Sequence, residues 1–207
     1  MNHRSTSMPA EFSTEHGDDP DDPEDRAYRT QRFLTPFGDI DVTINDHAIV
    51  ASHYIMDPDI VDPADTSDMS EAQRHLFKQI AVQLDDYFNG RSHVFTLPLS
   101  VEDDPSEFTK SVRKEMTHIP PGDVFTYGEL AEAAGRPRAA RAVGSVCRTN
   151  PIQLFIPCHR VVAAGGCLGG YMGGARGLVL KQQLLEREGI PFTADGKVDF
   201  NELGHRQ

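Results

Sequence analysis

The sequence predicts an α+β fold: a small N-terminal α/β domain with an antiparallel sheet, followed by a mainly helical C-terminal domain with a helix-turn-helix. Three observations carry this. Ile40-Asp41-Val42-Thr43-Ile44 alternates apolar and polar residues with period two, the mark of a half-buried strand. Leu76, Ile80, Ala81, Leu84 and Phe88 recur at helical spacing. Beyond residue 106 the apolar residues fall in short helical runs stopped by glycine and proline. The 207 residues divide at 1–28, 29–103, 104–190 and 191–207.

Residues 1–28 centre on an Asp-Pro-rich acidic run, 18–25, with almost nothing to bury, and are expected to be a disordered tail. Phe33-Leu34 reads as a strand entering the turn Thr35-Pro36-Phe37-Gly38. Residues 40–44 and 47–55 then form a hairpin around Asn45-Asp46. An acidic loop spans 56–69. Ser70 can cap a helix over 71–88, which Asn89-Gly90 closes. Residues 95–101 are expected to be a last strand. In the second half, helices are expected at 107–117, 127–135, 138–147 and 178–188, with 191–207 as a tail.

The net charge of −12 is unevenly spread. Residues 1–107 carry 7 Lys+Arg against 23 Asp+Glu, whereas residues 108–190 carry 11 against 6. A basic segment on an acidic body is the footprint of a nucleic-acid face. Aspartate outnumbers glutamate 20 to 12, and only 5 of the 20 basic residues are lysine. Such a surface suits work in high salt, where a Debye length of about 3 Å at 1 M leaves little repulsion of DNA. No apolar run is long enough for a membrane span, and no apolar leader follows Met1, so a cytoplasmic protein is expected.

The chemistry concentrates at Asn150-Pro151 and Ile152-Gln153-Leu154-Phe155-Ile156-Pro157-Cys158-His159-Arg160. Pro157 forces a turn, so Cys158 is presented from a rigid support. A thiolate is the nucleophile, and an adjacent imidazole is expected to lower the thiol pKa from its usual value of about 8.5. Three cysteines, Cys147, Cys158 and Cys167, without a Cys-x-x-Cys pair, point to neither a disulfide framework nor a metal site. Nothing calls for a cofactor. Arg138-Ala139-Ala140-Arg141-Ala142-Val143-Gly144 is too small-sided to read bases, but it lets a helix backbone approach a minor groove.

In order and spacing, Tyr127-Gly128-Glu129-Leu130-Ala131, Asn150-Pro151, Pro157-Cys158-His159-Arg160-Val161 and Leu184-Leu185-Glu186-Arg187-Glu188-Gly189 resemble the O6-alkylguanine-DNA alkyltransferases. The resemblance covers about residues 30–190. It implies DNA repair by one irreversible transfer of an alkyl group from O6-alkylguanine, and from O4-methylthymine, to Cys158. His159 would ionise Cys158 through a bridging water, Glu188 would orient His159, and Asn150 would hold the turn. Arg141 would fill the stack behind a flipped base, with Arg138 and Ala139 against the DNA. Tyr127 would crowd the phosphate and donate to the base. Pro157, Tyr171 and Met172 would wall the pocket; Met172 stands where better-known members commonly have a serine. The partner would be double-stranded DNA carrying alkylated bases, bound by a monomer. A non-catalytic alkyltransferase-like damage sensor would lack the cysteine. A plain helix-turn-helix regulator would need base-reading side chains and usually a dimer. A Cys-His hydrolase would turn over repeatedly.

Overall fold

A computed structural model describes residues 28–55, 69–101 and 106–204. The expected tail, Tyr28 apart, and most of the acidic loop at 56–69 lie outside these residues. Strands β1 (Arg29–Phe33), β2 (Ile40–Ile44) and β3 (Ile49–Tyr54) form an antiparallel meander in that order. Its register sets Ile40 opposite both Phe33 and Tyr54. The alternation along β2 buries Ile40, Val42 and Ile44 on one face. Helix α1 (Glu71–Phe88) starts in a capping box, Ser70 accepting from Gln73 N and the Gln73 side chain accepting from Ser70 N. It buries Leu76, Ile80, Leu84 and Tyr87 into the core shared with the sheet.

The expected strand at 95–101 reduces to a single parallel bridge between Ile49 and Leu99. Pro98 has no N–H to give a ladder, and only its carbonyl is used, by Ile49 N at 2.9 Å.

The second half holds α2 (Glu107–Thr117), capped by Ser106, then β4 (Phe125–Thr126), α3 (Tyr127–Ala133), α4 (Ala140–Arg148), a 3-10 turn (Cys158–Arg160), β5 (Val161–Val162) and α5 (Ala175–Arg187). β4 and β5 form a two-stranded parallel sheet absent from the sequence reading. Helix α3 stops two residues early, α4 starts two residues late, and α5 starts three residues before Leu178. Arg138 therefore precedes α4 instead of opening it. Residues read as a C-terminal tail fold back: Val198 is buried with Val124, Val162, Leu185 and Ile190.

The two halves are joined through the reactive segment. Ser52 N donates to Pro151 O at 2.8 Å, Gln153 N to Ser52 O at 3.0 Å, and Tyr54 N to Gln153 Oε1 at 3.1 Å. Strand β3 thus pairs with the chain leading to Cys158 through a parallel bridge between Ser52 and Ile152, and one hydrophobic core spans both halves. Among the described residues no helix is long and apolar enough to cross a membrane.

Candidate active site

The turn before Cys158 is built around one side chain. Buried Asn150 donates from Nδ2 to Ile156 O at 2.8 Å and to Cys158 Sγ at 3.1 Å, and its Oδ1 accepts from Ile152 N at 3.2 Å. Leu154 sits at φ 71°, in the left-handed region, although its side chain is buried. That conformation costs a branched residue about 1–2 kcal/mol. Leu154 and, on either side of it, Ile152, Phe155 and Ile156 are all buried in the core. Cys158 opens the 3-10 turn, with Arg160 N closing on Pro157 O at 2.9 Å.

Behind the cysteine lies a closed carboxylate centre. Glu188, the C-cap of α5, accepts at Oε1 from Tyr87 Oη (2.7 Å), His159 Nε2 (3.0 Å) and Arg160 Nη2 (2.9 Å), and at Oε2 from Arg160 Nε (2.8 Å). Arg160 Nη1 also donates to Ile119 O at 2.7 Å. Burial alone would raise the Glu188 carboxyl, but His159 and Arg160 outweigh it and hold the group well below the usual carboxylate range. Burial, partly opposed by Glu188, lowers the His159 pKa, so the resting imidazole is neutral. With Nε2 on the carboxylate, Nδ1 has no partner among the described residues.

The expected lowering of the thiol pKa is not found. Cys158 is 3% exposed, and burial pushes its thiol up, against the opposing pull of Asn150 and the Lys181 charge. A neighbouring imidazole cannot stabilise a thiolate while it is itself neutral, so the resting pair is thiol and imidazole. Lys181, fully buried on α5, donates to Val161 O at 2.5 Å and Leu168 O at 2.6 Å, and burial lowers it to about 8.

Cys158 faces a cavity of about 360 Å³ that Tyr127, Tyr171, Met172, Cys147 and Gly144 also line. Tyr127 is held at the start of α3 by the Thr126–Glu129 capping box, and burial raises its hydroxyl to about 12. Gly169, at φ +72°, leaves it room: a Cβ there would lie 2.6 Å from Tyr127 Oη. Met172 is itself left-handed at φ 46°. Pro157 lies elsewhere than expected, lining a second cavity of about 320 Å³ behind the turn with His93, Phe155 and Arg160. Arg138 and Arg141 are exposed, and Ala139 is half-buried at the N-cap of α4.

The structure therefore brings together Asn150, Cys158, His159 and Glu188, and sets Tyr127, Tyr171 and Met172 around the cavity. Sequence reasoning missed Tyr87, Lys181 and the part played by Arg160. Each left a signal. Tyr87 continues the buried stripe Ile80, Leu84 at helical spacing, Lys181 sits on the apolar side of α5, and Arg160 belongs to the motif itself.

Residues 107–190 match the family model for the "6-O-methylguanine DNA methyltransferase, DNA binding domain", and residues 30–101 match that for the "6-O-methylguanine DNA methyltransferase, ribonuclease-like domain". A methylated-DNA–protein-cysteine methyltransferase of Metallosphaera sedula is 37% identical over 158 residues, covering 76% of this chain and 90% of the relative. One from Methanosarcina barkeri is 44% identical over 115 residues, covering 56% and 70%. Among solved structures, a Mycobacterium tuberculosis O6-methylguanine methyltransferase aligns with TM-score 0.62 at 27% identity, covering 78% of this chain and 93% of that one. A structure of the M. tuberculosis protein in complex with DNA aligns at 0.63 and 32%, covering 78% and 91%. With family models spanning most of its length, the chain belongs to the O6-methylguanine DNA methyltransferases, the methylated-DNA–protein-cysteine methyltransferases.

Proposed function

We propose that this protein repairs double-stranded DNA by moving the alkyl group of O6-alkylguanine onto Cys158 Sγ, once per molecule and without a cofactor. One observation carries the reading: the hydrogen-bonded turn that holds Cys158 at a cavity also carries His159, which is paired with buried Glu188. The damaged base must leave the stack to reach a buried thiol, at a cost of about a few kcal/mol. Exposed Arg141 takes the vacated place, and Arg138 and the small face around Ala139 lie along the backbone.

In the pocket, His159 accepts the Cys158 proton through a bridging water at Nδ1, and Glu188 stabilises the imidazolium. The S–C bond forms as the C–O6 bond breaks, and the electron pair passes to the guanine. Tyr127, with its raised hydroxyl still protonated, donates to the leaving base. The product thioether has no leaving group that water displaces, so the protein is consumed. O4-methylthymine is the second substrate, and a monomer is the acting species.

Incubation with an O6-methylguanine duplex and mass spectrometry tests this. Cys158 gains the mass of one methylene at a one-to-one limit, and Cys158→Ala gains nothing. A folded protein without the adduct, or one that turns over repeatedly, would overturn the reading.

A further inference from the structure

The sequence concentrates its chemistry at residues 150–160, yet one side chain of the N-terminal half reaches the carboxylate centre. Tyr87 lies on α1, 101 residues before Glu188, and is fully buried. Its ring is clamped on several sides, edge-on to Phe88 (5.1 Å) and His93 (5.3 Å) and stacked on Phe95 (5.2 Å). Its hydroxyl makes the shortest contact to Glu188 Oε1, the same oxygen that receives His159 Nε2. A carboxylate oxygen has two lone pairs, so Tyr87, His159 and Arg160 compete for it.

We propose that Tyr87 is a positioning residue for alkyl transfer: by sharing Glu188 Oε1 with His159 it limits how strongly the carboxylate holds a proton on the imidazole, so the N-terminal domain tunes the base used by the C-terminal one. The proposal rests on the Cys158–His159–Glu188 reading above. Burial and the Glu188 charge push the phenol well above its ordinary value of 10.0, so Tyr87 remains a donor wherever the protein works. The other groups facing the centre are Arg160 and Cys158 from the turn, Lys181 from α5, Tyr54 from β3, Tyr171 from the pocket loop and His93 beside the Tyr87 ring. None of these shares Oε1 with His159 except Arg160, whose second contact to Oε2 ties it to the carboxylate as a whole.

Removing the Tyr87 hydroxyl concentrates negative charge on Oε1 and raises the His159 pKa. The test follows Cys158 methylation by an O6-methylguanine duplex across pH in the full chain, with an NMR titration of His159. In Tyr87→Phe the acid limb of the rate moves up by about 0.5–1 unit, making transfer ~3–10-fold slower on the acid side and close to unchanged above the limb. The His159 titration moves with it. Phe95→Leu loosens the ring clamp but keeps the hydroxyl, and it lowers the melting temperature without moving the limb. An unmoved limb in Tyr87→Phe, or an equal displacement in Phe95→Leu, would overturn the proposal. Glu188→Gln separates the two readings. If it transfers like the parent protein, the relay itself is wrong; if it is slow while Tyr87→Phe keeps its limb, only the role of Tyr87 falls.

Discussion

Cys158 works against its own burial. Desolvation favours the neutral thiol and outweighs what opposes it: the Asn150 amide at 3.1 Å, the Lys181 charge, the local backbone and the Tyr171 hydroxyl. The proposed transfer therefore starts from a neutral thiol, whose proton has to be removed. That makes Asn150 the side chain whose loss is felt twice. Asn150→Ala removes a donor from the sulfur and leaves the buried Ile156 carbonyl with fewer partners, which costs about 1–3 kcal/mol of stability. A lowered urea midpoint together with slower Cys158 methylation is the expected result; normal stability with slow methylation would confine Asn150 to the sulfur. Cys158 and His159 were legible as adjacent residues of one motif, and Asn150 and Glu188 only through the family resemblance. Tyr87 was not, because tertiary packing selects its partner across a hundred residues. The sign of the thiol shift was misread for the same reason: burial is a property of the folded core, invisible in the dipeptide Cys158-His159.

At the scale of elements, helices with good caps were placed best. Ser70 and Ser106 start α1 and α2 where their side chains accept the first free N–H groups. Helix α4 has no side-chain cap, and Pro137 biases Arg136 away from helical geometry, so its start shifted by two residues. The β4–β5 pair was missed because two residues give no period to detect. The shift in α4 matters for function. Arg138 stands in the turn between α3 and α4, exposed, while Arg141 projects from the first turn of α4. Their losses should therefore differ. Arg138→Ala weakens binding about equally on damaged and undamaged duplexes and reduces the slope of log K against log salt by about 1. Arg141→Ala slows Cys158 methylation on duplex DNA far more than on the free modified base, which needs no flipping. Filter binding over a salt series and a paired rate measurement check the two.

At the scale of the molecule, Glu188 joins pieces that the sequence sets far apart: α1 through Tyr87, the reactive turn through His159 and Arg160, and α5 through its own backbone. Arg160 extends the tie to the Ile119 carbonyl beyond α2. The carboxyl is depressed in the folded state, so the unfolded chain binds its proton first as acid is added. Stability from this group is complete above its ordinary value of about 4.5 and declines as pH falls below it toward the much lower folded value. The slope approaches ~1.4 kcal/mol per pH unit. A second effect runs the other way, since the net charge of −12 is partly neutralised by acid and self-repulsion falls. Salt separates them. At about 1 M the Debye length is near 3 Å, so repulsion between exposed aspartates is screened while the buried centre is not. Urea midpoints in high salt should therefore fall steeply below about pH 4.5 in the parent chain, and less steeply in Glu188→Gln, which starts lower because Arg160 has lost its counter-charge. Equal slopes for the two proteins would show that acid unfolding is governed by the surface carboxylates and that the Glu188 centre does not hold the halves together.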